Sequence, residues 1–176
     1  MTTTATIIDS IANAVKPWAG FYADSKPASI VVLFLHLGGL VFAGGTAIAT
    51  DRATLKALRG TTEDRSRALL DLETSHGWVL TGLALIFTSG LGLALSDVKT
   101  FAYSPVYWTK MALIVLLLIN GAILQRTERR LRAVGFQEHG GPSPDASWSR
   151  LRYSAIASLT LWTGIVLAGV ILSQSS

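Results

Sequence analysis

Four long apolar runs constrain this chain more than any other feature of its sequence. A helix of about 20 residues crosses the roughly 30 Å apolar core of a bilayer, and each run meets that length. The 176 residues are 50% hydrophobic and only 15% charged, which is too apolar for an ordinary soluble domain. All five prolines lie outside the runs, so nothing interrupts the helical backbone hydrogen bonds. The predicted spans are 28–50, 77–96, 106–125 and 153–172.

The distribution of basic residues predicts how these helices are oriented. Eleven of the fifteen Lys and Arg residues lie in the connections after the first and third runs. Short basic loops stay in the cytoplasm. The sequence therefore predicts an all-α, integral membrane four-helix bundle in a bacterial inner membrane, with both termini on the outer, periplasmic side. The eleven residues are Arg52, Lys56, Arg59, Arg65, Arg67, Arg126, Arg129, Arg130, Arg132, Arg150 and Arg152.

Composition also excludes several classes of function. The net charge is +4, but the basic residues flank apolar runs, so we expect no nucleic-acid partner. The chain has no cysteine and therefore no iron–sulfur cluster, thiolate zinc site or cysteine nucleophile. It has no nucleophile elbow, phosphate loop or Rossmann glycine pattern, so a stand-alone enzyme is not expected. None of the runs contains Asp or Glu, which argues against a carboxylate-driven proton relay.

Residues 1–27 form an N-terminal tail ahead of the four-helix domain at 28–172. The tail lacks the basic start and short apolar core of a secretory signal. Its apolar residues recur at helical spacing, which predicts an interfacial amphipathic helix ending near Pro17; the alternative is a mobile tail. Those residues are Ile7, Ile8, Ile11, Val15 and Trp18.

Two connections carry local signals. Thr61 and Asp64 fit a capping box, which predicts a helix that begins near Thr62 and continues into the second span. Glycines and prolines at 135–144 predict a loop between the third and fourth spans, in which His139 is exposed.

A few polar side chains lie within the runs and are candidate functional residues, because polar groups are costly in a bilayer. His36 lies in the first run, and Lys110 and Asn120 lie in the third. Counting from the span midpoints places His36 level with Ser89 and Gly90. It places His76 about 20 Å away in depth, so the two histidines cannot be the axial ligands of one haem.

His36 is the first candidate ligand for a metal ion. It could bind haem b, with Met111 as the second ligand or with an open position, and imidazole and thioether also suit copper. Alternatively, His36 hydrogen-bonds a Ser or Thr across the bundle. Lys110 could lie beside a redox cofactor or quinone headgroup, or pair with Asp97. The candidate cofactor-binding residues are His36, Met111, Lys110 and Asn120.

Several short motifs carry a resemblance to a known group of proteins. They are HLGGLVFAGG from His36, Asp51-Arg52, TSGLGLAL from Thr88, YSPVYWTK up to Lys110, and LLLINGAILQR around Asn120. With these motifs the chain resembles an uncharacterised family of bacterial four-helix membrane proteins, and it is distantly similar to the copper-resistance D-type membrane domain. The resemblance implies this architecture. It also implies a histidine at the inner end of the third span, where this chain has Gln125.

These features predict a small polytopic inner-membrane protein with an accessory or redox-associated role, binding haem b through His36. A copper-handling or small-solute transport protein is the alternative. The expected partners are the lipid bilayer and either other membrane subunits or further copies of the chain.

Overall fold

The computed structural model describes residues 2–134 and 144–175, and within these ranges it contains seven α-helices and no strand. The predicted loop at 135–143 and His139 lie outside the described residues, and the last helix begins at Pro144. The helices are α1 (Thr2–Ala14), α2 (Lys16–Asp24), α3 (Lys26–Ala57), α4 (Thr62–Ser96), α5 (Val98–Tyr103), α6 (Pro105–Val134) and α7 (Pro144–Ser175).

Four of these helices, α3, α4, α6 and α7, are long and apolar enough to cross a membrane. Each contains one of the predicted spans and extends beyond it. Large apolar side chains point outward from the bundle, with Phe34, Val41 and Phe87 each more than 70% exposed. Such a surface requires an apolar surrounding. The predicted all-α membrane bundle is therefore confirmed, and the chain is a multi-pass membrane protein.

The four long helices pack as two hairpins joined through α3 and α7. Helix α3 runs against α4, and α6 runs against α7, while α4 and α6 pack only weakly against each other. We call the end at which α3 and α6 end and α4 and α7 begin the basic end. We call the end with the chain termini and α5 the terminal end. The helices alternate in direction between these two ends.

Small residues set the close approach of α3 to α4. A methyl group on Gly82 would lie 2.6 Å from Cβ of Ala43, and one on Gly39 would lie 3.3 Å from the backbone nitrogen of Ile86. Gly44 faces the other neighbour, α7, where Trp162 lies against it. The buried residues of the central core are Ala43, Leu117, Trp162 and Ile165, and those of a second core near the basic end are Leu72, Leu124, Leu131 and Leu151.

Helix α4 begins where the capping box predicts. The Thr61 hydroxyl accepts a hydrogen bond from the backbone nitrogen of Asp64, and the Asp64 carboxylate accepts one from the backbone nitrogen of Thr61. Two helix-end donors are thereby satisfied at once. The prediction of a helix starting near Thr62 is confirmed.

The N-terminal tail is helical and lies against the terminal end of the bundle. The chain turns after Ala14, and Pro17 lies in the first turn of α2, where a missing backbone donor costs nothing. The Trp18 indole donates to the carbonyl of Gly92 on α4 at 2.9 Å. Lys99 pairs with Asp9 at 2.7 Å, and this hydrogen bond and the charge of Asp9 raise the pKa of Lys99. The placement of the N-terminal tail at a membrane interface stays a prediction.

Replacing Gly82 with Ala should weaken the packing of α3 on α4. The added methyl would meet Ala43 far inside van der Waals distance, and overpacking of this kind costs about 1–3 kcal/mol. Gly77→Ala on the same helix is the matched control, because nothing lies within 4 Å of the added methyl. Thermal unfolding in detergent measures the difference. Equal melting temperatures for the two variants would contradict this packing.

Candidate functional site

The His36 imidazole lies between α3 and α4, in the half of the bundle toward the terminal end. Its Nδ1 lies 3.2 Å from the carbonyl oxygen of Ile86 and 3.2 Å from the Ser89 hydroxyl. The predicted level of His36, beside Ser89 and Gly90, is therefore what the structure shows. These contacts, with Ile86 and Ser89, place the ring ten to thirteen residues along α4 from His76, which is about 15–20 Å at the helical rise.

The hydrogen bonds of His36 determine which ring nitrogen carries the proton. A carbonyl oxygen can only accept, so Nδ1 must donate to Ile86. The Ser89 hydroxyl donates to the carbonyl of Leu85 at 2.6 Å, so its oxygen also acts as an acceptor toward Nδ1. In the neutral imidazole, Nε2 then keeps its lone pair. No hydrogen bond to Nε2 occurs among the described residues, and this nitrogen can serve as a ligand or acceptor.

Gly90 creates the space that the imidazole occupies. A methyl group at this position would lie 3.0 Å from Cε1 of His36 and 3.4 Å from Nδ1. The distance to Cε1 is shorter than ordinary side-chain contacts. The absence of a side chain at Gly90 therefore lets His36 reach the backbone of α4 one turn earlier, at Ile86.

Lys110 and Met111 lie on α6, in the same half of the bundle. The Lys110 ammonium points toward α7, 3.7 Å from where a methyl group on Gly169 would be. It is close enough to His36 for their charges to interact. Across the described ranges Lys110 has no ion pair, and Asp97 instead caps α5 by accepting from Thr100. The Met111 side chain is half-buried.

Asn120 has a different environment from the other three candidates. Its amide nitrogen donates to the carbonyl of Ser154 at 2.9 Å, and the Ser154 hydroxyl donates to its amide oxygen at 2.8 Å. These reciprocal bonds join α6 to α7. Asn120 lies ten residues from Lys110, about 15 Å along α6. The structure therefore places His36 and Lys110 in the same half of the bundle and separates Asn120 from them.

The donors present at His36 fit a haem iron better than a metal held by protein ligands alone. An imidazole with Nδ1 fixed by a carbonyl and Nε2 free is the usual state of an axial haem ligand. Within residues 2–134 and 144–175, no group of three His, Asp or Glu side chains could hold a metal ion. The thioether of Met111 is the one additional soft donor in the same half of α6.

A buried charged network at the basic end was not predicted from the sequence. Glu128 on α6 is only 3% exposed. Its carboxylate accepts from Arg132 at 3.0 Å and lies 3.4 Å from Nδ1 of His76 on α4. Arg132 also bonds Glu73 and the carbonyl of Leu69, both on α4. This network connects α4 and α6, the two long helices that otherwise pack weakly.

A second buried carboxylate, Asp51 on α3, also lies just beyond a predicted span. The predicted spans contain no acidic residue, but the helices continue past them and bury Asp51 and Glu128. The argument against a carboxylate-driven proton relay was based on spans without Asp or Glu. It therefore does not apply to the basic end. The sequence does contain a signal for the burial of Asp51. Ala43 and Ala47 lie on one face of α3, and helical periodicity continues that face to Asp51 and Thr54.

Comparison of the chain with family models, with curated proteins and with solved structures finds no match. The resemblance carried by the sequence motifs therefore stays a prediction. The case for a function rests on the geometry around His36.

Replacing Arg132 with Ala should destabilise the basic end, because it leaves Glu128 buried beside a half-buried histidine with no other cation. Breaking a buried ion pair from one side costs about 3 kcal/mol. Arg129→Ala is the matched control, since Arg129 is exposed on the same helix. Chemical denaturation of the detergent-solubilised variants compares them. An Arg132 variant as stable as the Arg129 variant would show that the network contributes little.

Proposed function

We propose that the protein is a redox-associated accessory subunit of a bacterial inner membrane, and that it binds haem b through His36. One observation carries this proposal: Nδ1 of His36 is held by the carbonyl of Ile86, while Nε2 has no partner within the described residues. Histidines that ligate metals usually donate their other ring N–H to a backbone carbonyl or carboxylate in this way.

Residues around His36 support the same assignment. Gly90 lets the imidazole lie against α4, and α4 packs only weakly against α6 on the other side of the bundle. Met111 on α6 would supply a second ligand through its thioether sulfur. The Lys110 ammonium could form an ion pair with a propionate carboxylate of the haem. A cation that has no ion-pair partner in an apolar bundle is stabilised by an anionic ligand. When bound, haem supplies one-electron chemistry.

The distribution of basic residues supports the proposed orientation in the membrane, and the exposed apolar side chains support the accessory role. The connection at the basic end and the helix ends beside it carry most of the Arg and Lys residues, so this end is proposed to face the cytoplasm. The exposed apolar side chains of the four long helices suit lipid and other membrane helices equally well. Electrons would pass to or from partner subunits, since no residue arrangement for bond-making chemistry accompanies His36 in the described part of the chain.

Visible absorption of the protein purified in mild detergent tests this proposal directly. We expect a Soret band in the oxidised form, and α and β bands after dithionite reduction, with one haem b per chain by the pyridine haemochrome assay. His36→Ala should remove the bands. His139→Ala is the control and should retain them.

A second pair of variants tests whether haem binding depends on the position of the His36 ring against Gly90. Gly90→Ala should displace the imidazole and reduce haem retention several-fold, while Gly38→Ala, which adds a methyl into open space, should not. A colourless protein, or bands that persist in His36→Ala, would contradict the haem proposal. Copper in a colourless protein, lost in His36→Ala, would favour the copper-handling alternative.

A further inference from the structure

Asp51 and Thr54 are two of the most deeply buried polar residues in the described part of the chain. They are 2% and 1% exposed, and both lie on α3 at its basic end. Neither Oδ2 of Asp51 nor Oγ1 of Thr54 has a hydrogen-bond partner among the residues that the structure describes. Buried polar atoms are rarely left without one. Two such atoms within one helical turn indicate that a bound species normally contacts them.

The carboxylate of Asp51 also lacks a compensating positive charge. No Lys, Arg or His in the described ranges forms an ion pair with it, whereas the buried Glu128 has Arg132 and His76. The neighbouring Arg52 and Lys56 are exposed, so their charged groups remain in solvent. An unpaired carboxylate is expensive to bury. A cation or a proton must therefore neutralise it.

Thr54 differs from the other threonines of its helix. Thr46 and Thr50 each donate to the carbonyl four residues earlier, at 2.8 Å. The Thr54 hydroxyl makes no such bond, although it is the most buried of the three. Its oxygen is therefore available to a ligand in the bundle interior.

The two side chains share one face of α3, and α7 supplies a third oxygen. Residues three apart on a helix have Cβ atoms about 5–6 Å apart. The Ser158 hydroxyl of α7, itself 6% exposed, faces the Asp51 carboxyl group. Three buried oxygens, one of them anionic, thus lie at the junction of α3 and α7.

We infer that Asp51, Thr54 and Ser158 bind a sodium ion. Carboxylate and hydroxyl oxygens are ligands for hard cations, and a single carboxylate balances a single positive charge. A proton on Asp51 would neutralise the carboxylate, but its O–H could reach at most one of the two hydroxyl oxygens, whereas a cation can contact all three side chains. A water molecule would satisfy Thr54 but leave the negative charge. A sodium ion, with water completing its coordination, satisfies both requirements. This inference is independent of the haem proposal.

Sodium-dependent stability and sodium binding test this inference on the full chain in detergent. Unfolding is followed in NaCl and in choline chloride at equal ionic strength, and binding is measured with radioactive ²²Na⁺. We expect one sodium ion per chain and a melting temperature about 2–4 °C higher in NaCl. Asp51→Asn and Thr54→Val should abolish both effects. Asp71→Asn, which changes an exposed carboxylate on α4, should preserve them.

The outcomes separate sodium from a proton. Equal melting temperatures in the two salts, together with no bound ²²Na⁺, would overturn the inference. So would an Asp51→Asn variant that is more stable than the native chain in both salts, because that result means the carboxyl group is protonated. Thr54→Val is nearly isosteric, so loss of ²²Na⁺ binding in a folded Thr54 variant supports the site even if Asp51→Asn fails to fold.

Discussion

The close packing of α3 against α4 is the interaction on which the candidate site depends. Lipid supplies no hydrophobic force between helices, so helices associate where small residues let their backbones approach. Gly39 and Gly82 supply that approach at the centre of the α3–α4 contact. The same closeness brings the carbonyl of Ile86 within hydrogen-bonding distance of His36. Wider helix spacing would leave the imidazole without its fixed orientation.

The two ends of the bundle are held together by different chemistry. At the terminal end, α2 is fastened to α4 by Trp18, and His36 and Lys110 provide polar groups inside an otherwise apolar bundle. At the basic end, ionised side chains centred on Glu128 and Arg132 connect α4 to α6. The half of the bundle that contains His36 and Lys110 and the half that contains the charged network are thus separated by the apolar core around Trp162.

Much of the fold follows from the sequence because a bilayer permits few backbone structures. Apolar length alone predicted the four spans, and the capping box predicted the start of α4 at Thr62. Helical rise alone placed His36 beside Ser89. Local patterns could not reveal the charged network, because Glu128 and His76 are far apart in sequence and each reads as an ordinary interfacial residue. Their contact depends on how α4 and α6 cross, which is a tertiary property.

The candidate site was predicted less completely than the fold. Residue type and depth selected His36 and Lys110 as candidates, and both lie in the same half of the bundle. Asn120 was selected by the same rule, yet it bonds Ser154 on the adjacent helix. A polar side chain in a span can serve packing or ligand binding, and only its hydrogen-bond partners distinguish the two roles.

The protonation state of the His36 ring is the most direct test of the account. Nitrogen-15 NMR of the haem-free protein, labelled at histidine and with His76 and His139 replaced by Gln, reports which ring nitrogen carries the proton. The account predicts a proton on Nδ1 and a bare Nε2, as donation to the carbonyl of Ile86 requires. A proton on Nε2 with a bare Nδ1 would contradict it, because His36 could then not donate to the carbonyl of Ile86 and Nε2 would have no lone pair for a ligand.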